Sequence, residues 1–143
     1  MWIIFSWLTP LKEWRKYYPT LIFTGLLGTI ADLLGVVFDQ WAYYGPVVGE
    51  LSLWSDIGIA PAEGALFIRL FPIKLSMSLQ IGFWILWALA NAVFESLFVW
   101  AGLIGYDHWN PFRAWIFYLF FFGLVWFQEW CYNGTGRIKK EKV

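Results

Sequence analysis

Charged residues are scarce in this 143-residue chain, at 14% of the total, and ten basic residues balance ten acidic ones. Soluble domains carry about a quarter charged residues. Hydrophobic residues reach 60% and aromatic residues 23%, which is more apolar surface than so short a chain can hide in a soluble core. The composition therefore predicts an integral membrane protein. The zero net charge excludes the basic surface that nucleic-acid binding needs.

Cysteine and histidine each occur once, as Cys131 and His108. A single cysteine excludes an internal disulfide framework and a paired-cysteine metal site. A single histidine has no histidine partner for a metal site, and the serines fall at other depths than His108, which argues against a nucleophilic triad. We therefore expect no metal and no cofactor, and we interpret Cys131 as a small apolar residue at a helix end.

Long apolar runs dominate the sequence. A membrane-crossing helix needs about 17 to 25 such residues, because each rises 1.5 Å across roughly 30 Å of hydrocarbon. Four runs have this length, at about 19–38, 57–73, 79–104 and 112–132. They predict an all-α integral membrane bundle of four transmembrane helices in a single domain, 1–143. Segment 1–18 is expected to lie at the membrane interface or to form a fifth, partial helix, and 133–143 to be a basic tail.

The basic residues fall mainly on one side of this arrangement. Nine of the ten lie before the first run, around the second-to-third connection, or in the tail. Only Arg113 lies in one of the opposite connections, 39–56 and 105–113, which carry acidic residues instead. Because cytoplasmic loops are enriched in Lys and Arg, this distribution predicts that the C-terminus is cytoplasmic.

Three of the four runs contain a carboxylate, namely Asp32, Glu63 and Glu95. From the outer ends of their helices these residues lie at depths of roughly 9, 9 and 14 Å. Charges inside a membrane are rare and usually face a bundle interior or a wet cavity. Three bare anions repel one another, so one must be protonated or a cation must lie among them. The acids therefore predict a proton donor, a cation site or a headgroup site, unless they only hydrogen-bond and specify helix packing.

Further polar and aromatic residues extend this candidate site. Asn91 lies one turn deeper than Glu95 on the same helix face, and the outer loop before the last run is placed to cap a cavity. The ligand-binding candidates on the helix face are Asn91, Trp84 and Trp87. Those in the loop are Asp107, His108 and Trp109.

The stretch Ala92-Val93-Phe94-Glu95 is followed by Gly105-Tyr106-Asp107-His108-Trp109-Asn110. This pattern resembles an uncharacterised family of small multi-pass membrane proteins found mainly in spore-forming bacilli and clostridia. The resemblance implies a protein of the bacterial cytoplasmic membrane. Members of that family usually begin with a full extra helix, which this chain lacks or has shortened, and the family brings no known activity.

The stretch Gly58-Ile59-Ala60-Pro61-Ala62-Glu63 is similar to the Pro-x-Glu motif of lycopene-cyclase-like membrane proteins. The similarity implies that Glu63 donates a proton to an isoprenoid double bond, with Asp32 or Glu95 assisting. It also implies that ring faces stabilise the resulting carbocation, and those rings would belong to Trp84, Trp87, Phe94 or Trp115. Family members carry a second acid after the Glu, whereas this chain has Gly64.

Three functional hypotheses follow from the sequence. The favoured one is a non-enzymatic bundle whose cavity binds a membrane lipid, a small lipophilic molecule or a partner helix, as a homo-oligomer or with a partner membrane subunit. The second is an acid-initiated isoprenoid cyclase or isomerase. The third is a proton or cation pathway, for which the cytoplasmic half offers few polar groups.

Overall fold

The computed structural model describes residues 1–44 and 52–140, which are mostly helical. A short 3-10 turn, Leu11–Glu13, leads into the first long helix. The other elements, in chain order, are α1 (Trp2–Leu8), α2 (Trp14–Val37), β1 (Trp41–Tyr43), α3 (Leu53–Asp56), α4 (Ala60–Leu70), α5 (Met77–Trp100), β2 (Ile104–Tyr106) and α6 (Pro111–Lys140).

Three helical segments in this described part of the chain are long and apolar enough to cross a membrane. They are Leu11–Val37, Met77–Trp100 and Pro111–Tyr132. Their outer faces carry rows of exposed apolar side chains, such as Ile22, Leu26 and Ile30 on α2, which are 46 to 59% exposed. A helix in a soluble bundle turns such a row toward the core, whereas lipid accepts it. The chain is therefore a membrane protein with three helices of spanning length.

The second predicted run, 57–73, does not form one long span, so the expected count of four transmembrane helices is not confirmed. Its helix, α4, has 11 residues, which is about 16 Å at 1.5 Å per residue. Pro61 lies in the first turn, where proline is tolerated. Phe71 precedes Pro72 and is extended, with φ −58° and ψ 123°, because a following proline disfavours the helical conformation.

The long helices differ from their predicted runs at the ends. α2 begins at Trp14, ahead of the expected start near 19, and contains Pro19. α5 ends at Trp100 rather than near 104. α6 continues to Lys140, so the backbone of most of the expected tail is helical.

The N-terminal helix α1 runs alongside α4 in the same direction. Near the start of α4, Trp2 Nε1 donates to the Ile57 carbonyl oxygen at 3.1 Å. Near its end, Arg69 Nη2 lies 3.5 Å from the Leu8 carbonyl oxygen. Phe5 is fully buried in the core that α1 shares with α2 and α4. Thus the segment with the expected interfacial location packs as part of the bundle.

Helices α2 and α5 end with the same C-terminal backbone motif. After α5, Gly102 has a φ of 73°, and the Leu103 amide donates to the Phe98 carbonyl oxygen at 3.0 Å. After α2, Asp39 has a φ of 51°, and the Gln40 amide makes the matching bond to the last turn at 2.8 Å. Both closures are Schellman motifs. Glycine adopts this left-handed conformation freely, and aspartate is one of the few other residues that do so.

These closures send the chain from both helices into a two-stranded antiparallel sheet. Its pairs are Trp41 with Tyr106, Ala42 with Gly105, and Tyr43 with Ile104. Neither strand was predicted from the sequence. We call this end of the bundle the sheet end.

Small residues bring α2 and α4 into close contact. A Cβ atom on Gly64 would lie 2.1 Å from Thr24 Cγ2, and one on Gly28 would lie 2.9 Å from Ala60 Cβ. Further from the sheet, α4 and α6 share a buried apolar core of Phe67, Phe121, Phe122 and Val125. This packing fixes α4 between α2 and α6 and leaves a polar space nearer the sheet.

Candidate functional site

A cavity of about 80 Å³ lies at the sheet end, between the helices and the two strands. Its polar lining includes Asp32 from α2, Glu63 from α4, and Asn91 and Glu95 from α5. The three carboxylates singled out in the sequence therefore face one space. A single water needs about 10 to 15 Å³ measured in this way, so the cavity suits several waters or one small polar group.

Glu95 is held by three donors from three parts of the chain. Its Oε1 accepts hydrogen bonds from the Tyr106 hydroxyl at 2.6 Å and from Trp109 Nε1 at 3.2 Å. Its Oε2 accepts one from the Tyr118 hydroxyl at 2.6 Å. Burial and the hydrogen bond to Glu95 raise the pKa of Tyr106 above its ordinary value, so this hydroxyl keeps its proton and remains a donor. An ionised carboxylate only accepts hydrogen bonds, and this arrangement fits one.

Asp32 lies in a different environment, next to Asp56 and Tyr43. Asp32 Oδ2 and both carboxylate oxygens of Asp56 are buried and have no hydrogen-bond partner among the described residues. Burial raises the pKa of Asp56. Burial and then the Asp32 charge also raise the pKa of Tyr43, whose hydroxyl interacts with Asp32. A proton on either aspartate would let the two carboxyl groups hydrogen-bond, but two ionised groups would repel each other.

Glu63 is buried in the first turn of α4, beside Asn91. The Asn91 side chain also donates from Nδ2 to the Trp87 carbonyl oxygen at 2.9 Å, which orients it within α5. The next residue, Gly64, packs against Thr24 and has no room for a side chain. A second acidic side chain directly after Glu63 would therefore not fit in this packing.

Aromatic rings form most of the remaining wall. Trp54 stands between Phe98 and Tyr43, with ring centroids 4.8 and 6.0 Å away. Trp41 packs edge-on against Trp109, with centroids 4.8 Å apart. The aromatic residues that line the cavity are Trp41, Tyr43, Trp54, Phe94, Phe98, Trp109, Phe117, Tyr118 and Phe121.

Of the eight predicted ligand-binding residues, Asn91, Phe94 and Trp109 line the cavity, and the others lie elsewhere. Trp84 Nε1 donates to the Leu119 carbonyl oxygen at 3.1 Å between α5 and α6. Trp87 packs at the Phe67 core. Trp115 packs against Phe112.

The predicted loop cap is only partly formed. Asp107 and His108 are exposed, and His108 Nδ1 lies 3.0 Å from the Asp39 carbonyl oxygen. The His108 carbonyl oxygen in turn accepts from the Arg113 guanidinium. These contacts tie the loop to the end of α2, and only Trp109 from this loop reaches the cavity.

Several lining residues were missed by the sequence analysis. Trp41, Tyr43 and Trp54 lie in the connection 39–56, for which the sequence analysis considered only the charged residues. The signal that would have identified them is the pairing of this segment with the one after α5, which brings both over the acids. Tyr118 was missed because the orientation of α6 about its own axis is not evident from an aromatic run that surrounds the helix.

Across residues 1–44 and 52–140, no group of three or more His, Cys, Asp or Glu residues has a geometry that would hold a metal ion. No protein family model matches the sequence, and neither a curated protein nor a solved structure matches it. The functional argument therefore depends on the cavity itself.

Proposed function

We propose that this chain is a bacterial cytoplasmic-membrane protein that holds the polar end of a lipid or small lipophilic molecule in the cavity at its sheet end. The observation that carries the proposal is the convergence of Asp32, Glu63 and Glu95, from three helices, on one space with aromatic walls. Burying charges costs free energy unless they are compensated. Such a cluster at the end of apolar helices therefore supports a ligand-binding role.

The size of the cavity supports a headgroup rather than a whole lipid. About 80 Å³ accommodates a few polar atoms, so the hydrocarbon part of the ligand would lie against the exposed apolar helix faces. The predicted topology, with the C-terminus cytoplasmic, would place the sheet end at the outer surface. A bundle completed by a second copy or by a partner subunit is compatible with this arrangement.

The test is native mass spectrometry of protein gently extracted from its own membrane, with identification of the retained lipids. Asp32→Asn and Glu63→Gln remove charges from the cavity. Asp39→Asn is the matched control, because Asp39 is an exposed acid at the same end and asparagine tolerates its positive φ. We expect the parent and the control to retain a lipid that both cavity variants lose. Equal retention in all four proteins, or no retained lipid in the parent, would contradict the proposal.

A second candidate is an acid-initiated isoprenoid cyclase or isomerase. The observation in its favour is that Glu63 shares the cavity with the rings of Trp54, Phe94 and Phe98, whose faces would stabilise a carbocation. The Glu63 proton would form a new C–H bond at one end of a double bond. Asp32 would then take a proton from the carbocation and restore a double bond.

This candidate is tested by incubating the protein with an isoprenoid alkene in deuterated water. Parent protein would incorporate deuterium into a rearranged product, and Glu63→Gln would not, with the Asp39→Asn control retaining turnover. Failure of the parent to rearrange a panel of such alkenes would leave ligand binding as the better account. We do not pursue the proton or cation pathway, because the buried core around Phe67 and Phe122 lies beyond the cavity.

A further inference from the structure

The cavity wall carries acidic side chains without a basic side chain to match them. Asp32, Glu63 and Glu95 line it, and Asp56 lies next to Asp32 behind the wall. Among the described lining residues there is no Lys, Arg or His. A buried carboxylate is normally paired or coordinates a cation, so an acid that ionises here calls for a positively charged ligand.

Asp32 is the acidic side chain that can still accept a hydrogen bond from a cationic ligand. It is 8% exposed, and apart from a proton on the neighbouring Asp56 its Oδ2 has no hydrogen-bond donor within the described part of the chain. Glu95, by contrast, already accepts three hydrogen bonds. A buried acceptor without a donor costs about 1 to 3 kcal/mol, and more when it is charged. An N–H group on a ligand would remove that cost.

The aromatic wall identifies the cation as organic. Trp54 packs against Phe98 with tilted rings, Trp41 packs edge-on against Trp109, and all four line the cavity. Ring faces attract alkylammonium groups, and the attraction strengthens when water is excluded. Inorganic divalent ions instead require several oxygen or nitrogen ligands in defined geometry, and the described residues provide no such group.

On this basis we propose that the cavity binds the protonated amine head of an amphiphile, with an N–H donated to Asp32 and the ammonium carbon atoms against the Trp54 and Phe98 rings. The inference rests on the proposed function and specifies its ligand class. It requires an ammonium group that carries at least one N–H, because a quaternary ammonium has no donor for Asp32. The alkyl chain of the ligand would leave the cavity toward the lipid.

Isothermal titration calorimetry of the full chain in a maltoside detergent tests the binding of an ammonium group. It compares three soluble probes of equal chain length. Hexylamine is protonated at neutral pH, as lysine is, and has N–H donors. Hexyltrimethylammonium has the charge without a donor, and hexan-1-ol has neither the charge nor an N–H. We expect hexylamine to bind at least about tenfold more tightly than either comparator, as a charge-assisted hydrogen bond provides.

Two variants test whether hexylamine binds at Asp32. Asp32→Asn should reduce hexylamine affinity to the level of hexan-1-ol, while Asp39→Asn should leave it unchanged. Thermal unfolding of each variant in the same detergent checks that it is folded. The comparison of the three probes uses the parent protein alone, so it does not depend on whether a variant folds. Equal binding of hexylamine and hexan-1-ol would overturn cation recognition, and equal binding of hexyltrimethylammonium would overturn the N–H contact. Unchanged affinity in Asp32→Asn would place the amine elsewhere and so overturn the inference.

The two proposals fail separately. Lipid retention decides whether the cavity binds a ligand at all, and the three probes decide whether that ligand is an amine. A retained neutral lipid together with no preference for hexylamine would keep the proposed function and reject the amine.

Discussion

The carboxylates at two corners of the same cavity have opposite hydrogen-bonding environments. At one corner Glu95 accepts hydrogen bonds from Tyr106, Trp109 and Tyr118. At the other, Asp32 and Asp56 keep three buried oxygens without a donor in the described structure. A satisfied carboxylate stabilises a fold, whereas an unsatisfied one costs free energy and persists where it serves a ligand. We infer that the Glu95 corner holds the cavity in shape and that the Asp32 corner is the binding side.

The largest expected effect comes from removing the satisfied carboxylate. Glu95→Ala leaves three donors without an acceptor, so we expect a loss of about 3 kcal/mol or more in the free energy of unfolding. Asp32→Ala removes a buried carboxyl group that has an unpartnered oxygen, so it should leave the protein as stable as the parent or more stable. Unfolding of both variants in detergent by denaturant measures the difference. Similar losses for the two substitutions would remove the distinction between the corners.

A somewhat smaller effect is expected where α4 approaches α2. Gly64→Ala places a Cβ 2.1 Å from Thr24 Cγ2, and overpacking of this kind costs about 1 to 3 kcal/mol. The displaced α4 carries Glu63, so lipid retention should also fall. Gly82→Ala in α5 is the matched control, because nothing lies within 4 Å of its added Cβ. Equal stability of the two variants would contradict the close packing of α2 and α4.

A single donor to Glu95 should have a smaller effect still. Tyr118→Phe removes one of the two 2.6 Å hydrogen bonds to this carboxylate, at an expected cost of about 1 kcal/mol, as is typical of hydrogen bonds in membrane bundles. Tyr44→Phe is the control, since Tyr44 is 68% exposed. The same unfolding assay compares the two. A neutral Tyr118→Phe would indicate that Glu95 is not held as tightly as its geometry implies.

The smallest expected effect is a pH dependence at the Asp32 corner. Burial raises the pKa of Asp56 in the folded protein above its ordinary value of 3.8. Folding therefore favours the protonated acid, and this contribution is fully present below about pH 4 and is lost as pH rises through the raised pKa. Asp56→Asn should make the unfolding free energy less dependent on pH above about 4. Asp39→Asn serves as the control. If the free energy of unfolding of Asp56→Asn depends on pH as in the parent, the Asp56 carboxyl group is not buried in its protonated form.

The sequence predicted the depth of the acids better than their surroundings. Helix rise alone puts Asp32 and Glu95 near the same end, because depth depends only on run length. The donors to Glu95 could not be predicted in this way. Tyr118 requires the rotation of α6, and Tyr106 requires a strand pairing between residues far apart in sequence.

The second run, 57–73, shows a different limit of sequence reasoning. Hydropathy marks the run of 57–73 as apolar, and it does form a helix in part. Its length as a helix depends on Pro61 and Pro72, which set where a helix can begin and end. Composition alone does not separate a half-length packed helix such as α4 from a tilted span. Trp41 and Trp54 could not be assigned to the cavity for a related reason, since an interfacial tryptophan and a cavity tryptophan have the same sequence signature.

The small sheet fixes the depth of α5 relative to α2. Each strand has three residues, too few to be stable alone, so the pairing exists only when α2 and α5 end at matching heights. Successive strand residues face opposite sides, and a slip of one residue would turn Ile104 out of the cavity and the Tyr106 hydroxyl away from Glu95. During assembly in the bilayer, the vertical position of α5 relative to α2 is thereby set to within a single residue.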